Sequence, residues 1–417
     1  MDASPNHSGR WREAIYELAA FERPSASEGE KRAAELIAAR LRELGCEARV
    51  EQERAHGGYW WPIALANSIA ASGAVLALRG RGRLARAVGA AAAGASAAAL
   101  WDDLGHGSRW FRRRLLPSRP TYNVVAEAGD RAAERTLVLV AHHDAAHSGL
   151  VFHPSLGRIG PRLFPRAHER SSHTLPILHG TWLGPLAASL GAAIGSRRLT
   201  RVGLVVSGAA AAVMTDIGLR AVVPGANDNL SSVGALIALA TRLRERPVEG
   251  LRVLLVSTGS EESFSEGMQA FGERHFPELD RARTEMLCLE VLGGPTLIVL
   301  EGEGMLKMRD YPEEMREALA AAAATAGVEI TRGIRTVAAT DAIIALRAGY
   351  PVVTLASVAE TKLPLNYHWP TDVPDHLYWD TIEGAIALCD AFVRARSVPQ
   401  GSDRPDDRVG VDARGAQ

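Results

Sequence analysis

Seven side chains in this 417-residue sequence are of types that hold metal ions or move protons: His142, Asp144, Asp228, Glu261, Glu262, Glu290 and His368. Metal-assisted hydrolysis needs hard or borderline ligands from several chain segments, an open coordination position, and a carboxylate outside the ligand set to carry a proton. His142 and Asp144 close the run TLVLVAHHD (136–144). Alternation along a strand points both to one side, so the carboxylate can orient the imidazole. Asp228 lies in GANDNLSS, just before a helix, where an N-cap is the ordinary explanation of an acid. Glu261 and Glu262 follow LRVLLVSTG (251–259), and two Glu in a row are ordinarily a solvated surface pair. Glu290 stands inside the apolar run LCLEVLG, where an unpaired carboxylate is costly and calls for a cation or a raised pKa. His368, in LNYHWPTD, sits in a Pro-flanked loop that need be only structural.

These residues must be carried by regular elements. Ser27 to Glu30 reads as a capping box opening a helix with Leu36, Ile37, Leu41 and Leu44 on one face and Gly45 at its end. Strands are expected at CEARVEQ, at 122–128, at 136–144, at 251–259, at 285–293, at TLIVLE and at YPVVTLA. Helices are expected at 229–244, 263–275, 311–326, 341–348 and 378–396. Strands alternating with helices indicate an α/β fold, with a mixed, mostly parallel sheet sandwiched by helices.

Two stretches break that rhythm. WWPIALANSIAASGAVLAL (60–78) and AVGAAAAGASAAALW (87–101) read as an apolar helical hairpin joined by RGRGRLAR. The charge-free run 171–196, the tip SRRLTR and VGLVVSGAAAAVMT (202–215) read as a second one. A membrane span needs about 20 apolar residues; the first and third runs reach that length and the second and fourth fall short of it. Ala90 and Gly94 would suit close helix packing in lipid. The reading is membrane association through 60–101 and 178–215, with a soluble apolar cap or dimer face as the alternative. Orientation is not set, because seven Arg at the hairpin tips are balanced by Arg109, Arg112, Arg113, Arg114 and Arg119 on the opposite side.

Composition bounds the partners. With 47 Lys+Arg against 48 Asp+Glu, a net charge of −1, and 47% apolar residues, neither a chain-wide basic field for nucleic acid nor global disorder is supported. Cys46, Cys288 and Cys389 are odd in number and far apart, which points to buried free thiols. The opening MDASPNHSGRWREAIYEL has early acids and no apolar core, so no secretory signal peptide is expected, and the location is membrane-associated or otherwise cytoplasmic. Nothing indicates an oligomeric state.

The seven residues, in this order and these contexts, resemble the co-catalytic zinc exopeptidases of peptidase family M28, which contains bacterial leucyl aminopeptidase and glutamate carboxypeptidase. The family shows an AHxD strand end, a GAxDNxSG turn into a helix, a Glu-Glu pair, a strand-borne acid and a late His. GANDNLSSVGALIALA matches with Ser232 in place of a Gly. STGSEESFSEGMQAF matches with Gly267 at the family's Gly-Ser and with Ser263 and Phe264 in place of Leu-Gly, and ATDAIIALRAGYPVVTL matches the Asp-containing helix before the last strand. The resemblance covers roughly 20–55, 120–146 and 222–395. It implies a zinc exopeptidase fold with two zinc ions per chain. Asp228 would bridge them, His142 and Glu290 completing one site and Glu262 and His368 the other. Asp144 would orient His142 and Glu261 would be the general base. The departure is Glu290, where aminopeptidases of the family more often have Asp. The implied activity is hydrolysis of a terminal bond in a peptide or small amide, foremost as an aminopeptidase. A carboxypeptidase, another small-amide hydrolase, or a non-catalytic membrane-anchored interaction protein are the alternatives. The corresponding division is catalytic domain at 1–54, 121–145 and 223–396, hairpin insertions at 55–120 and 146–222, and a disordered tail at 397–417. The three catalytic pieces together have about 250 residues, the size of one large α/β domain.

Overall fold

The computed structural model describes residues 9–397, so the tail expected at 397–417 lies, beyond Ser397, outside the described residues. Seven strands form the main sheet: β1 (Glu47–Ala55), β2 (Arg119–Gly129), β3 (Thr136–His142), β4 (Arg252–Thr258), β5 (Thr284–Glu290), β6 (Thr296–Val299) and β7 (Val352–Val358). Their spatial order is β1-β2-β4-β3-β5-β7-β6. β3 pairs parallel with β4 and β5, and β5 with β7. β1 with β2, β2 with β4, and β7 with β6 are antiparallel. The sheet is therefore mixed rather than mostly parallel. The reason lies in two short links, 130–135 and 291–295, which are too short for the crossover that a parallel return requires, so β2 and β6 run against the central four strands.

The helices are α1 (Arg10–Ala19), α2 (Glu28–Glu43), α3 (Trp60–Arg79), α4 (Arg83–Leu104), α5 (Trp110–Leu115), α6 (His179–Ile194), α7 (Arg197–Leu219), α8 (Ser231–Glu245), α9 (Glu266–His275), α10 (Glu313–Ala326), α11 (Ala342–Ala348) and α12 (Trp379–Arg396). All seven residues of β3 are buried, which is why its sequence is continuously apolar up to the histidine. α8 packs between α1 and α12, while α9 lies against β1, β2 and α11. The three cysteines are buried free thiols. The capping box is shifted by one residue: Ser27 Oγ accepts the Glu30 N–H at 3.1 Å, and Glu30 Oε2 accepts from the N–H of Ala26, rather than Ser27, at 2.8 Å, while the carboxylate also bonds to β2 and the segment after β4.

α3, α4, α6 and α7 pack on one another beside this sheet. Their contacts are made by small residues: a Cβ on Gly73 or Gly89 would meet the other's carbonyl oxygen at 2.8 and 2.3 Å, and Gly184, Gly191 and Gly203 lie against Ser207, Thr200 and Ala188. Ser189 Oγ donates to the Ala90 carbonyl at 2.8 Å, and Gly94 faces the same hydroxyl, so these two small residues form the α4–α6 crossing. α3, α4 and α7 are long and apolar enough to cross a membrane, by length and composition. The first run keeps its expected span length, but the expectation is corrected for the third, which falls short, and for the second and fourth, which reach it. The third helix has only 16 residues because 171–178 runs as a non-helical strip beside Arg335, while the Arg-bearing tips join α4 and α7 and lengthen them to 22 and 23.

Candidate metal centre

The acids and histidines converge at the carboxyl ends of the parallel strands, where open α/β sheets place their ligands. β3 delivers His142 and β5 delivers Glu290 as their last residues. Beyond β4 the chain turns at Ser260, held at φ 49°, and presents Glu261 and Glu262. Their backbone N–H groups donate to Asp144 Oδ1 and Oδ2 at 3.0 and 3.1 Å, and the Ser25 hydroxyl donates to Oδ2 at 2.6 Å. Asp228 is not a helix cap: α8 starts at Ser231 without a side-chain cap. Instead the N–H groups of Asn227 and Asp228 donate to the Asp372 carboxylate at 2.7 and 3.1 Å, which aims the Asp228 side chain into the site.

Asp228 stands between two clusters. Its Oδ1 is 3.2 Å from His142 Nε2, which lies 3.3 Å from Glu290 Oε1. Its Oδ2 is 3.3 Å from His368 Nε2, which lies 3.2 Å from Glu262 Oε2. Glu261 Oε2 is further out, 3.9 Å from His142 Nε2. The donor sets His142–Asp228–Glu290 and Asp228–Glu262–His368 each have ligand atoms within 4.8 Å of one another. Four-coordinate zinc with bonds of about 2.0–2.1 Å places its ligand atoms about 3.3–3.4 Å apart, so the imidazole–carboxylate separations here fit such an ion. Glu262 Oε1 and His368 Nδ1 are buried without a hydrogen-bond partner. The extra methylene of Glu290 is accommodated, since its Oε2 accepts from Asn229 Nδ2 at 3.3 Å.

The protein atoms alone leave this site electrostatically unbalanced. Burial drives the Glu261 carboxyl well above its ordinary range, with Glu290 and Asp341 adding to the shift against the opposing pull of His142. Burial likewise lifts Glu290 to about 7, against the pull of His142. Burial opposes charge on His368, but Glu262 and Asp228 outweigh it and raise the imidazole to about 10. In the same way Glu290, Asp144 and Asp228 overcome burial and hold His142 well above its usual value. Four buried carboxylates around two imidazoles are a site that cations would neutralise.

All seven expected residues come together, and further ones join them that sequence reading did not single out. Glu30 accepts from Thr121 Oγ1 at 2.7 Å, Tyr122 N at 3.0 Å and Ser260 N at 2.9 Å, tying α2, β2 and the Glu261 turn. Buried Arg23 donates to the carbonyls of His143, Pro224 and Gly225 at 2.8, 2.6 and 2.8 Å, fixing the turn before Asp228. Arg112 Nη1 and Arg109 Nη2 donate to the carbonyls of Ser263 and Phe264 at 2.7 and 2.5 Å. Arg112 also pairs with Asp103 on α4 at 2.8 Å and lies 3.8 Å from Glu266. Asp372, four residues after His368, carried a signal as a second acid in the same loop; Glu30 was hidden by its capping-box pattern.

The comparisons with known proteins agree with this geometry. Residues 212–393 match the sequence profile of peptidase family M28, a span holding Asp228, Glu261, Glu262, Glu290 and His368 but not His142 or Asp144. The chain is similar in structure to an aminopeptidase from Aneurinibacillus sp. strain AM-1, at 13% identity and TM-score 0.56, with 94% of each chain covered. It is also similar to a zinc aminopeptidase from Bacillus subtilis, at 14% identity and TM-score 0.55, covering 97% of this chain and 98% of that one. Glutaminyl cyclase from Fimbriiglobus ruber aligns at 11% identity and TM-score 0.54, over 95% and 98% of the two chains. No curated protein matches the chain by sequence. With residues 212–393 matching the family profile and 94–97% of the chain aligning with the two solved aminopeptidases, this protein has a zinc exopeptidase fold of the kind found in peptidase family M28.

Proposed function

We propose that the protein is a zinc-dependent metallo-exopeptidase, foremost an aminopeptidase, with two zinc ions per chain. The observation that carries the reading is Asp228, whose two oxygens each face a separate histidine–carboxylate pair. His142 and Glu290 would hold one ion, Glu262 and His368 the other, with Asp228 shared. Imidazole and carboxylate together favour zinc, although the donor types also suit Mn or Co. Bound there, the ions would supply Lewis acidity that polarises the scissile carbonyl and eases deprotonation of water.

The chain's own residues do the rest. Glu261, which forms a third close group with His142 and Glu262 but lies outside the two sets that share Asp228, takes a proton from the attacking water at its carboxylate and hands it to the departing amine nitrogen as the C–N bond breaks and a C–O bond forms. Asp144 keeps Glu261 and Glu262 in register through their N–H groups and stands 3.4 Å from His142 Nδ1, so it positions three members at once. The preference for an amino terminus rests on charge. The cavity over the site is lined by Asp228, Glu261, Glu262 and Glu290, and among the described residues the one Lys or Arg that lines it is Lys362. Lys362 Nζ already donates to the carbonyls of His168 and Ser171 at 2.6 and 2.7 Å, leaving no free cation for a terminal carboxylate. A carboxypeptidase would need one.

We read 55–120 and 146–222 as insertions in the catalytic domain whose helices embed in a membrane. Of the 24 exposed large apolar side chains among the described residues, all but Tyr16 and Tyr378 lie between Trp61 and Leu219. An apolar surface on that scale marks a membrane or partner contact. Hydrolysis of aminoacyl reporter amides should disappear on chelation and return with zinc, at two ions per chain. Two bound ions with no turnover on amino- or carboxy-terminal substrates would sink the exopeptidase reading. Alkaline carbonate should leave the protein with the membrane fraction, and full release would sink the embedding.

A further inference from the structure

The cavity above the acids has a volume of about 450 Å³ and does not end at the sheet. Its far wall is a stripe of α7, Val205, Val206, Ala209, Ala210, Val213 and Ile217, spaced so that they share one face of the helix. Leu175 and Ile177 line it from the non-helical strip before α6. Three of these lining residues, Leu175, Ile177 and Val205, are solvent-accessible at 50%, 38% and 69%, which marks an opening of the cavity beside α7. The cavity therefore joins the carboxylate cluster directly to the apolar exterior of the helical bundle. The α7 wall offers no hydrogen bonds, because a helix interior satisfies its own backbone groups. A peptide strand laid along it would leave its amides unpaired, whereas an aliphatic chain would lose nothing.

We propose that the substrate is a single-chain amphiphilic amide, with a free amine near the scissile bond facing the carboxylates and a long aliphatic chain lying along α7, entering between Leu175, Ile177 and Val205 from the bilayer. This rests on the exopeptidase reading and assigns its substrate class. The amine end meets the acids lining the inner part of the cavity, and the chain is buried against aliphatic side chains, each added methylene contributing to binding.

The test uses the full-length protein in nanodisc bilayers and two homologous series, leucine N-alkylamides from ethyl to octyl and amides of 2-amino acids with alkyl side chains of the same lengths. In at least one series kcat/KM should climb, by up to about fourfold per methylene. Titration calorimetry of octylamine on the chelated protein gives a readout without turnover: binding should be lost in Ala209→Trp, at the exposed cavity wall, and kept in Leu190→Trp, exposed on α6 and not lining the cavity. Equal octylamine binding in the two variants overturns the proposal. So do flat series with ongoing hydrolysis, which leave the exopeptidase reading intact, or a climb seen with apolar peptides and not with alkyl chains, which assigns the cavity to peptide. Octylamine binding that only Ala209→Trp abolishes, without hydrolysis of any amide, supports the cavity assignment and removes the exopeptidase reading.

Discussion

The sheet and the helical bundle of this chain are built on opposite plans. In the sheet layer the buried residues are large and aliphatic, Leu137, Val138, Leu139, Leu255 and Leu287 among them. In the bundle one inner cluster is Ala70, Ala74, Ala93 and Ala188, a second one contains Ile63, Leu100, Met214 and Ile217, and Leu65, Leu84, Leu190, Ile194 and Val202 are exposed. Water drives large apolar groups inward, as in the sheet. In lipid that force between helices vanishes, and small residues that allow close backbone approach take the contact positions. Such a pairing is what the proposed membrane embedding would require, and it puts the candidate metal centre between the two layers. Arg112 spans that boundary, joining Asp103 on α4 to the Ser263 carbonyl just past Glu262.

The comparison can be broken at several points. The largest expected effect is in the sheet's chemistry: Glu261→Gln should lower kcat by about a hundredfold to ten-thousandfold while zinc content by atomic absorption stays at the wild-type level. Loss of zinc together with activity would instead make Glu261 a ligand. Next is the boundary. Arg112→Ala leaves Asp103 without its buried partner and should cost about 3–5 kcal/mol in chemical denaturation. A cost below about 0.5 kcal/mol, the size of a surface change, would mean that bundle and catalytic turn are not joined.

The two plans predict opposite responses to the same substitution. Leu139→Ala in the sheet should cost about 2–5 kcal/mol. Leu190→Ala on the bundle exterior should change folding stability by no more than about 0.5 kcal/mol and instead weaken retention in the membrane fraction. Inside the bundle the rule inverts, so enlarging a residue does the damage. Gly89→Leu, driven into the Gly73 carbonyl, should cost about 1–3 kcal/mol, read from the melting temperature in nanodiscs.

The smallest effect sharpens the electrostatic side. Without zinc, His368 holds its proton to about 10, Glu30 to about 8, and Glu290 and Asp372 to about 7. Between pH 6.5 and about 10 the folded state thus binds protons that the unfolded chain has released, and stability must fall as pH rises. The melting temperature of chelated protein should decline across that window. The gain on adding zinc should grow, because the imidazoles must be deprotonated to bind it. A flat profile for the chelated protein would count against the buried cluster.

Much of the site was legible because its members carry local signatures: an acid in GANDNLSS, a pair after a buried strand, a Glu inside LCLEVLG. What stayed hidden were the groups that hold these segments from far along the chain. Glu30 shows nothing beyond a capping pattern, yet its partner Ser260 is 230 residues away. Strand direction was equally illegible from apolar runs alone, and the mixed sheet follows from links too short to cross over.

The sequence by itself determined the α/β alternation, the presence of long apolar helices and the seven candidate residues, because periodicity and local motifs are short-range properties. Only the tertiary structure decided that Asp228 faces two histidine–carboxylate pairs, and that the cavity above them opens through α7 onto the bundle's apolar surface. Those facts depend on segments that meet across 86 to 148 residues, where packing rather than local pattern sets the geometry.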